Sequence, residues 1–479
     1  MTGVAVELCA GRAELTRASI TAEAAEAGRV RGARYRVPSP IRAWRQVAGA
    51  LRLPAADGAP DLAAEPDPRL RPERSAPTSG AVVADAFLRG EALGLPERAR
   101  HVLGRVARCR TSALGTLRER CGTCDWEQAL ARSCGDRHCP RCLSLAGARW
   151  LRAELERALP LAYFHLVFTL PPALKALCAG GASSRVRVVY TLLLRAARAA
   201  VVEVARSELG DPRARLALVE VLHTWNRSYT YHPHVHVIVA AGGLSGCGER
   251  WLAAAPGRCL LQADALRTAY RRALATELER ALALGAAGRR GGLELDPSQA
   301  DALRRSFATA YQHVYAKALM DPAQALGYLA RYVSRAGFSD TRLVSYDPHG
   351  AGRVVYRTKL DEVVTCSRAE FVARLASHVL PARFHRVRRY ELLAARSRPH
   401  LEAAQALLGV EVAEAGEADE AEAADLEAGG SFVERFYLEQ GVDLTRCPRC
   451  QGQLVRRNVP PADVDFADLH PRPAPARPP

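Results

Sequence analysis

The stretch YHPHVHVIV at residues 231–239 alternates polar and apolar side chains with the period of a β-strand. Successive side chains of a strand point to opposite faces of its sheet. We therefore expect His232, His234 and His236 to share one face, with the valines at 235, 237 and 239 pointing into the core. Two imidazoles two residues apart on a strand can bind one metal ion. The alternative is a strand with three half-exposed histidines and no metal.

Neighbouring stretches predict further strands of the same sheet. Residues 216–224 form an apolar run that contains His223, a further candidate to lie close to the metal. Residues 163–170 are aromatic and β-branched and stop at two prolines, which predicts a buried strand. The mixture of strands and helices between residues 160 and 395 is typical of one α+β domain. Helices are predicted over 84–106, 145–159, 184–209, 260–284, 322–335 and 368–380, and a hairpin over 342–346 and 353–358.

The predicted helix at 322–335 carries Tyr328 and Tyr332, which are four residues apart and so lie on one face. A tyrosine can attack a phosphodiester and hold the DNA 5′ end as a phosphotyrosine, leaving a free 3′ hydroxyl. Gln324 lies one turn before Tyr328, which favours Tyr328 as the first nucleophile and Gln324 as a third metal ligand or a residue that places water. The alternative is an amphipathic helix packed on a sheet through its tyrosines.

Two Cys-x-x-Cys motifs, Cys121/Cys124 and Cys139/Cys142, are separated by fourteen residues. This spacing is typical of a tetrahedral structural zinc site. A site closed by four thiolates supports folding rather than catalysis. We therefore predict zinc bound by these four cysteines.

Other cysteines leave alternatives open. Cys134 and His138 lie between the two motifs and can replace one of the ligands, and Cys109 is a further candidate. The motif Cys447-Pro-Arg-Cys450 is half a site, whose completion needs distant cysteines or another chain. A free pair is the alternative.

Composition indicates a polyanionic partner. Among 479 residues, 67 are basic and 51 acidic, for a formal net charge of +16, and lysine occurs only at positions 175, 317 and 359. Arginine suits bidentate phosphate contacts and stacking on bases, so nucleic acid is favoured over a membrane. No signal peptide or apolar span is apparent, which predicts a cytoplasmic protein, associated with the nucleoid when bound to DNA. In that compartment thirteen cysteines indicate metal ligands or core thiols.

With these features together, residues 108–393 resemble transposases of the insertion-sequence-91 family, which are HUH-type enzymes (histidine, hydrophobic residue, histidine). The motifs that carry the resemblance are CRTSALG (109–115), CGDRHCPRC (134–142), YFHLVFTLP (163–171), LHTW (222–225), HPHVH (232–236), YLARY (328–332) and RRY (388–390). One departure is SDTR at 339–342, where the family usually has SNHR.

The resemblance implies a ferredoxin-like HUH antiparallel sheet with flanking helices, preceded by a small zinc-ribbon-like domain. It implies His234 and His236 as ligands of Mg²⁺ or Mn²⁺, and Tyr328 and Tyr332 as nucleophiles. The implied activity nicks and rejoins single-stranded DNA, at element ends and target, in rolling-circle-like transposition.

The expected domain limits are an N-terminal extension at 1–80, a zinc-binding and DNA-binding domain at 81–150, a catalytic domain at 151–395, and a linker with a C-terminal tail at 396–479. Two other functions remain open. One is a replication initiator or relaxase with the same nicking chemistry, and the other is a catalytically defective zinc-containing DNA-binding protein.

Overall fold

A computed structural model describes residues 77–142, 150, 153–154, 157–178, 183–254, 259–309, 313–319, 337–409 and 443–461. Its helices are α1 (Ser79–Leu88), α2 (Glu97–Arg108), α3 (Pro172–Ala176), α4 (Ser183–Leu209), α5 (Ala263–Ala286), α6 (Pro297–Thr309), α7 (Arg368–Ser377) and α8 (Arg398–Leu407). Its strands are β1 (Thr116–Cys121), β2 (Glu127–Ala131), β3 (Tyr163–Thr169), β4 (Ala217–Trp225), β5 (Tyr231–Ala240), β6 (Gly243–Leu244), β7 (Trp251–Leu252), β8 (Val314–Leu319), β9 (Leu343–Asp347), β10 (Arg353–Arg357), β11 (Val363–Ser367), β12 (Val387–Glu391) and β13 (Leu454–Val459).

The central sheet has five strands in the order β12-β4-β5-β3-β8, and every neighbouring pair is antiparallel. The histidine-bearing strand β5 therefore lies in the middle of the sheet. In its register with β4, His234 lies opposite His223 and His236 lies opposite Val221. The sheet thus brings histidines from two strands to one place.

One face of this sheet is covered by helices α4 and α5. Val235, Val237 and Val239 are fully buried in the same core as Leu218 and Leu222 of β4. The expectation that these valines point into the core is confirmed. Because side chains alternate along a strand, His234 and His236 point to the opposite face. Each buried valine contributes roughly 1.5–3 kcal/mol, which holds the register that places the histidines.

Most predicted elements of the central region are confirmed. The strands predicted at 163–170 and 216–224 differ from β3 and β4 by about one residue at each end. Strands β9 and β10 form the predicted antiparallel hairpin, with Asp347 opposite Arg353. The α+β class with antiparallel sheets is also confirmed, while the ferredoxin-like HUH assignment stays a prediction.

The prediction of one helix over residues 84–106 is wrong, because the structure has two helices, α1 and α2, in this region. Gly90 has a φ of 74°, which ends α1, and Pro96 is the N-cap of α2. Both positions interrupt a helix for backbone reasons that the apolar periodicity of the segment does not reveal.

These two helices share an apolar core with the β9–β11 sheet and α7. A buried ion pair joins the same elements. The Nη1 of Arg368 lies 2.9 Å from Oδ2 of Asp85, and its Nε lies 2.8 Å from Oε2 of Glu91. The N-terminal helices thus pack against residues that lie in the chain between strands β8 and β12 of the central sheet. The predicted domain limits themselves stay a prediction.

The last described strand returns to the N-terminal region. Strand β13 pairs antiparallel with β1 in a three-stranded sheet of order β13-β1-β2, from Thr116 opposite Val459 to Cys121 opposite Leu454. Gly115, with a φ of 80°, allows this close approach, since a Cβ there would lie 2.6 Å from the carbonyl oxygen of Val459. Part of the segment predicted to be a tail is therefore a structural element.

Some predictions fall outside the described residues. They are the whole helix at 322–335, with Gln324, Tyr328 and Tyr332, and most of the helix at 145–159. Within the described ranges, none of the helices has the length and apolar character needed to cross a membrane.

Candidate functional site

Three histidines converge on the sheet face opposite α4 and α5. Ring nitrogens of His223, His234 and His236 lie within 4.8 Å of one another, and the two Nε2 atoms of His234 and His236 are 3.1 Å apart. Adjacent ligands of an octahedral ion, at bond lengths of about 2.1 Å, are about 3.0 Å apart. The three side chains therefore fit one metal ion. His223, which the sequence suggested only as a neighbour, stands as the third donor among the described residues.

Outer contacts orient two of these rings. The Nδ1 of His234 lies 2.7 Å from the carbonyl oxygen of His232, and the Nδ1 of His236 lies 2.8 Å from Nε2 of His165. With the proton on Nδ1 in both rings, each donates a hydrogen bond outward and directs an Nε2 lone pair inward. Such second contacts fix the tautomer of metal-binding histidines. The geometry thus favours, in His234 and His236, the tautomer whose Nε2 lone pair is available to a metal ion.

Burial keeps these imidazoles neutral. It lowers the pKa of His234 to about 4 and that of His165 to about 4, and it holds the pKa of His236 well below its ordinary value. Neutral imidazole is the form that binds metal. His165 was given no role by sequence reasoning. The sequence marks His165 only as part of a predicted strand, YFHLVFT. The pairing of β3 with β5 is what brings it next to His236.

All three lysines of the chain surround this face. Lys317 lies opposite His165 in the β3–β8 register. Beyond the effect of burial, the charge of Lys317 lowers the pKa of His165, that of Lys359 lowers the pKa of His234 and His236, and that of Lys175 lowers the pKa of His232. The histidine cluster therefore lies in a field of compact positive charges.

A cleft adjoins the histidine cluster. Trp225 stacks on His223 with ring centroids 4.7 Å apart and meets His378 edge-on at 5.9 Å. The cleft lies between the cysteine-bearing segment and the sheet, and its lining includes Arg137, Trp225, Tyr229, Phe338, His378 and Arg386. Its aromatic rings are buried, with Trp225 7% and Tyr229 5% exposed, so they pack the junction between the two regions.

A first cysteine cluster consists of Cys109, Cys134, Cys139 and Cys142. The Sγ of Cys142 lies 3.5 Å from that of Cys109 and 3.7 Å from that of Cys134. Four sulfurs at about 2.3 Å from a tetrahedral zinc ion are about 3.8 Å apart. The cluster is largely buried, and its donor set fits a closed structural zinc site.

A second cluster consists of Cys121, Cys124, Cys447 and Cys450. The predicted zinc set of Cys121, Cys124, Cys139 and Cys142 is therefore wrong as a single site. Cys121 and Cys124 lie at the turn of the β1–β2 hairpin, whereas Cys109 and Cys134 flank its open end. The six residues of β1 separate the two ends by about 17 Å.

His138 is not part of either cluster. Its Nδ1 lies 2.9 Å from Oδ1 of Asp136, and its Nε2 accepts a hydrogen bond of 3.1 Å from the backbone N–H of Leu380. The side chain thus joins the first cysteine cluster to the segment after α7. Asp340, in the segment that departs from the family pattern, accepts a hydrogen bond from the backbone N–H of Ser79 at 3.1 Å.

The predicted nucleophiles Tyr328 and Tyr332, and the predicted ligand Gln324, lie outside the described residues. Tyr315 of β8 is a described tyrosine close to His165. Its side chain is 52% exposed, and its ring lies 6.0 Å from that of His165. It offers a matched comparison for the predicted pair.

Two family models match separate parts of the chain. A family model described as "Putative transposase" matches residues 218–400, and one described as "Transposase zinc-binding domain" matches residues 83–170. "Putative transposase y4qJ" of Sinorhizobium fredii is 36% identical over 398 residues, which cover 79% of this chain and 95% of that protein. "Transposase for insertion sequence element IS801" of Pseudomonas savastanoi pv. phaseolicola is 28% identical over 302 residues, which cover 60% of this chain and 68% of that protein. No solved structure matches the chain.

Proposed function

Because this chain belongs to the insertion-sequence-91 family of transposases and carries their zinc-binding domain, we propose that it nicks and rejoins single-stranded DNA through 5′-phosphotyrosine intermediates in rolling-circle-like transposition. The observation that carries the proposal is the histidine cluster, with two Nε2 atoms 3.1 Å apart. Its placement at the centre of the sheet provides a rigid support for a metal-dependent reaction.

Tyr328 and Tyr332 are the proposed nucleophiles. The phenol oxygen of one tyrosine forms a bond to the scissile phosphorus, and the bond to the 3′ oxygen breaks, so that this oxygen leaves as a hydroxyl. The phosphotyrosine retains a phosphodiester, and a 3′ hydroxyl can later attack it and release the tyrosine. Two tyrosines on one helical face permit two strand transfers without release of the DNA ends.

The proposed metal ligands are His223, His234 and His236, with Gln324 as a further ligand from the tyrosine helix. These side chains would hold a divalent ion, which would supply electrophilic polarisation of the scissile phosphate. Three imidazoles without a carboxylate suit Mn²⁺ better than Mg²⁺. We therefore expect activity with both ions and higher affinity for Mn²⁺.

The proposed path of the DNA passes the lysines close to the histidine cluster. Lys359 and Lys317 supply point charges near the phosphate that reacts, where a compact ammonium approaches an oxygen more easily than a planar guanidinium.

The test uses 5′- or 3′-labelled oligonucleotides from the DNA that flanks the gene, incubated with the full chain and Mn²⁺ or Mg²⁺. We expect a covalent adduct that survives denaturing electrophoresis and is lost in the Tyr328→Phe, Tyr332→Phe double variant. The matched control Tyr315→Phe retains it. An adduct that forms equally in the double variant, or in no sequence across both flanks, overturns the proposal.

Two other outcomes of the same experiment separate the alternatives. DNA binding without an adduct under any metal supports a defective zinc-containing DNA-binding protein. Nicking confined to a plasmid origin, with no activity on sequences flanking the gene, supports a replication initiator or relaxase.

A further inference from the structure

The cysteine motif near the end of the described chain has no role in the proposed reaction. Cys447 and Cys450 lie beyond both family matches, which end at residues 170 and 400. In the structure, the Sγ of Cys450 lies 3.4 Å from that of Cys121, and the Sγ of Cys447 lies 3.8 Å from that of Cys124. Bonded sulfurs of a disulfide would be about 2.05 Å apart. These separations instead match sulfurs that share one tetrahedral ion.

Both halves of the cluster have the local backbone of a metal-binding turn. The backbone N–H groups of Thr123 and Cys124 point at the Sγ of Cys121, at 3.3 and 3.4 Å. Such hydrogen bonds stabilise a thiolate. In the other half, the N–H of Cys447 donates to the carbonyl of Gly452, and that of Gln451 donates to the carbonyl of Cys447, which folds the motif into a tight turn.

The contact between the two halves needs a small residue. A Cβ on Gly452 would lie 2.4 Å from Oγ1 of Thr123 and 3.1 Å from the Sγ of Cys121. Glycine at this position therefore lets one turn approach the sulfur of the other. The antiparallel pairing of β1 with β13, which ends at Cys121 opposite Leu454, holds the two turns side by side.

Polar contacts reinforce the same junction. Oε1 of Glu119 on β1 accepts from Nε of Arg456 on β13 at 2.8 Å, and Oδ1 of Asp125 lies 2.8 Å from Nη1 of Arg449. Four soft donors, a preorganised pair of turns and a sheet that fixes their separation are the components of a structural zinc site.

We propose that Cys121, Cys124, Cys447 and Cys450 bind a second structural zinc ion, which fastens the C-terminal strand to the N-terminal zinc-binding domain. The chain therefore holds two structural zinc ions. One is bound within residues 109–142, and the other by two motifs on either side of the catalytic region. This inference is independent of the proposed nicking reaction.

The test counts zinc per chain in purified full-length protein kept under reducing conditions. Every sample carries His234→Ala and His236→Ala, so that the histidine cluster does not contribute. We expect two zinc ions for this parent and one for Cys447→Ser with Cys450→Ser. The matched control replaces the exposed cysteines Cys247 and Cys259 with serine and keeps two. One zinc ion in the parent, or two in the Cys447/Cys450 variant, overturns the proposal.

A titration of the zinc-free parent with Co²⁺ does not depend on how the variants fold. Thiolate-to-Co²⁺ charge-transfer absorption is expected to rise linearly to two equivalents, with the intensity of four thiolates per ion. Saturation at one equivalent overturns the proposal.

Discussion

The cysteine clusters and the histidine cluster each gather metal-ligating side chains, but their surroundings differ. The cysteines lie on turns and short strands, and each cluster offers four thiolates that close the coordination of an ion. The histidines lie on two central strands of the largest sheet and offer three donors. A closed site supports folding, and a site with open positions admits a substrate. We therefore expect loss of a cysteine cluster to lower stability and loss of the histidine cluster to lower the rate of the reaction.

The largest effect is expected for the first cysteine cluster. Replacement of Cys139 and Cys142 by serine removes two of four zinc ligands, and structural zinc contributes apparent free energies of about 10–16 kcal/mol in zinc-finger peptides. We expect loss of the ordered zinc-binding region, seen as protease sensitivity within residues 77–142, and loss of DNA binding. Protease resistance equal to that of the parent chain would contradict a stabilising role for the first cysteine cluster.

A smaller loss of stability is expected at the ion pair that joins the N-terminal helices to α7. Arg368 is fully buried, and its partners are Asp85 and Glu91. Arg368→Ala removes the cation that Glu91 pairs with and leaves Asp85 with the partly exposed Arg89, which costs about 3–5 kcal/mol. Urea unfolding measures the change, and the exposed Arg398, paired with Glu402 on α8, offers Arg398→Ala as a matched control with little effect. Equal effects of the two substitutions contradict the assignment.

The histidine cluster should show the opposite pattern. His234→Ala with His236→Ala is expected to lower the rate of adduct formation by about 10³-fold or more, because the scissile phosphate loses its electrophilic partner. The melting temperature should change by only a few degrees, since the helix-covered face of the sheet is untouched. A large loss of stability with retained activity would contradict a catalytic role for the histidines.

Lys359 tests the charge around the histidines. Lys359→Met is expected to slow adduct formation by about tenfold, a loss of about 1.4 kcal/mol at the transition state. Lys359→Arg, which keeps the charge but not the compact shape, should retain part of the rate. An unchanged rate in Lys359→Met means that the lysine does not act on the substrate.

A further effect is expected on the dependence of stability on pH. Burial lowers the pKa of His378 to about 3 and that of His234 to about 4, whereas the unfolded chain protonates histidine near 6.5. Between about pH 6.5 and 4 the unfolded state binds protons that the folded state does not, so stability falls as pH falls through this window. Urea unfolding at pH 7 and pH 5 measures the loss, and His378→Leu should reduce it. A free energy of unfolding that is constant over this range contradicts the buried, neutral state of these rings.

Prediction from sequence succeeded where a local period carries the signal. The alternation at residues 231–239 and the apolar run before it predicted strands β5 and β4 and the inward direction of Val235, Val237 and Val239, all of which the structure confirms. The spacing of His234 and His236 was enough to place both on one face. The role of His165 depends on the pairing of β3 with β5, which no local pattern reports.

Prediction failed where contacting residues are distant in the chain. It also failed where backbone conformation, rather than the pattern of side chains, determines the end of an element. The pairing of β1 with β13 joins residues more than 300 positions apart. No local pattern therefore indicated that Cys121 and Cys139 belong to different clusters. Edge strand β12 reads VRRYE and lacks an apolar period. The assignment of Tyr328 and Tyr332 stays a prediction, because both lie outside the described residues.

The distance in sequence between the two halves of the second cysteine cluster has a consequence for biosynthesis. The first cluster draws on ligands no more than 33 positions apart, whereas Cys121 and Cys450 are 329 positions apart. At about 5–20 residues per second, translation of that interval takes about 16–66 s. During this time the hairpin of β1 and β2 has neither its third strand nor two of its sulfurs. A nascent chain therefore completes the β13-β1-β2 sheet only after the central sheet has been made, so a product of interrupted translation lacks β13 and two of the four sulfurs of this cluster.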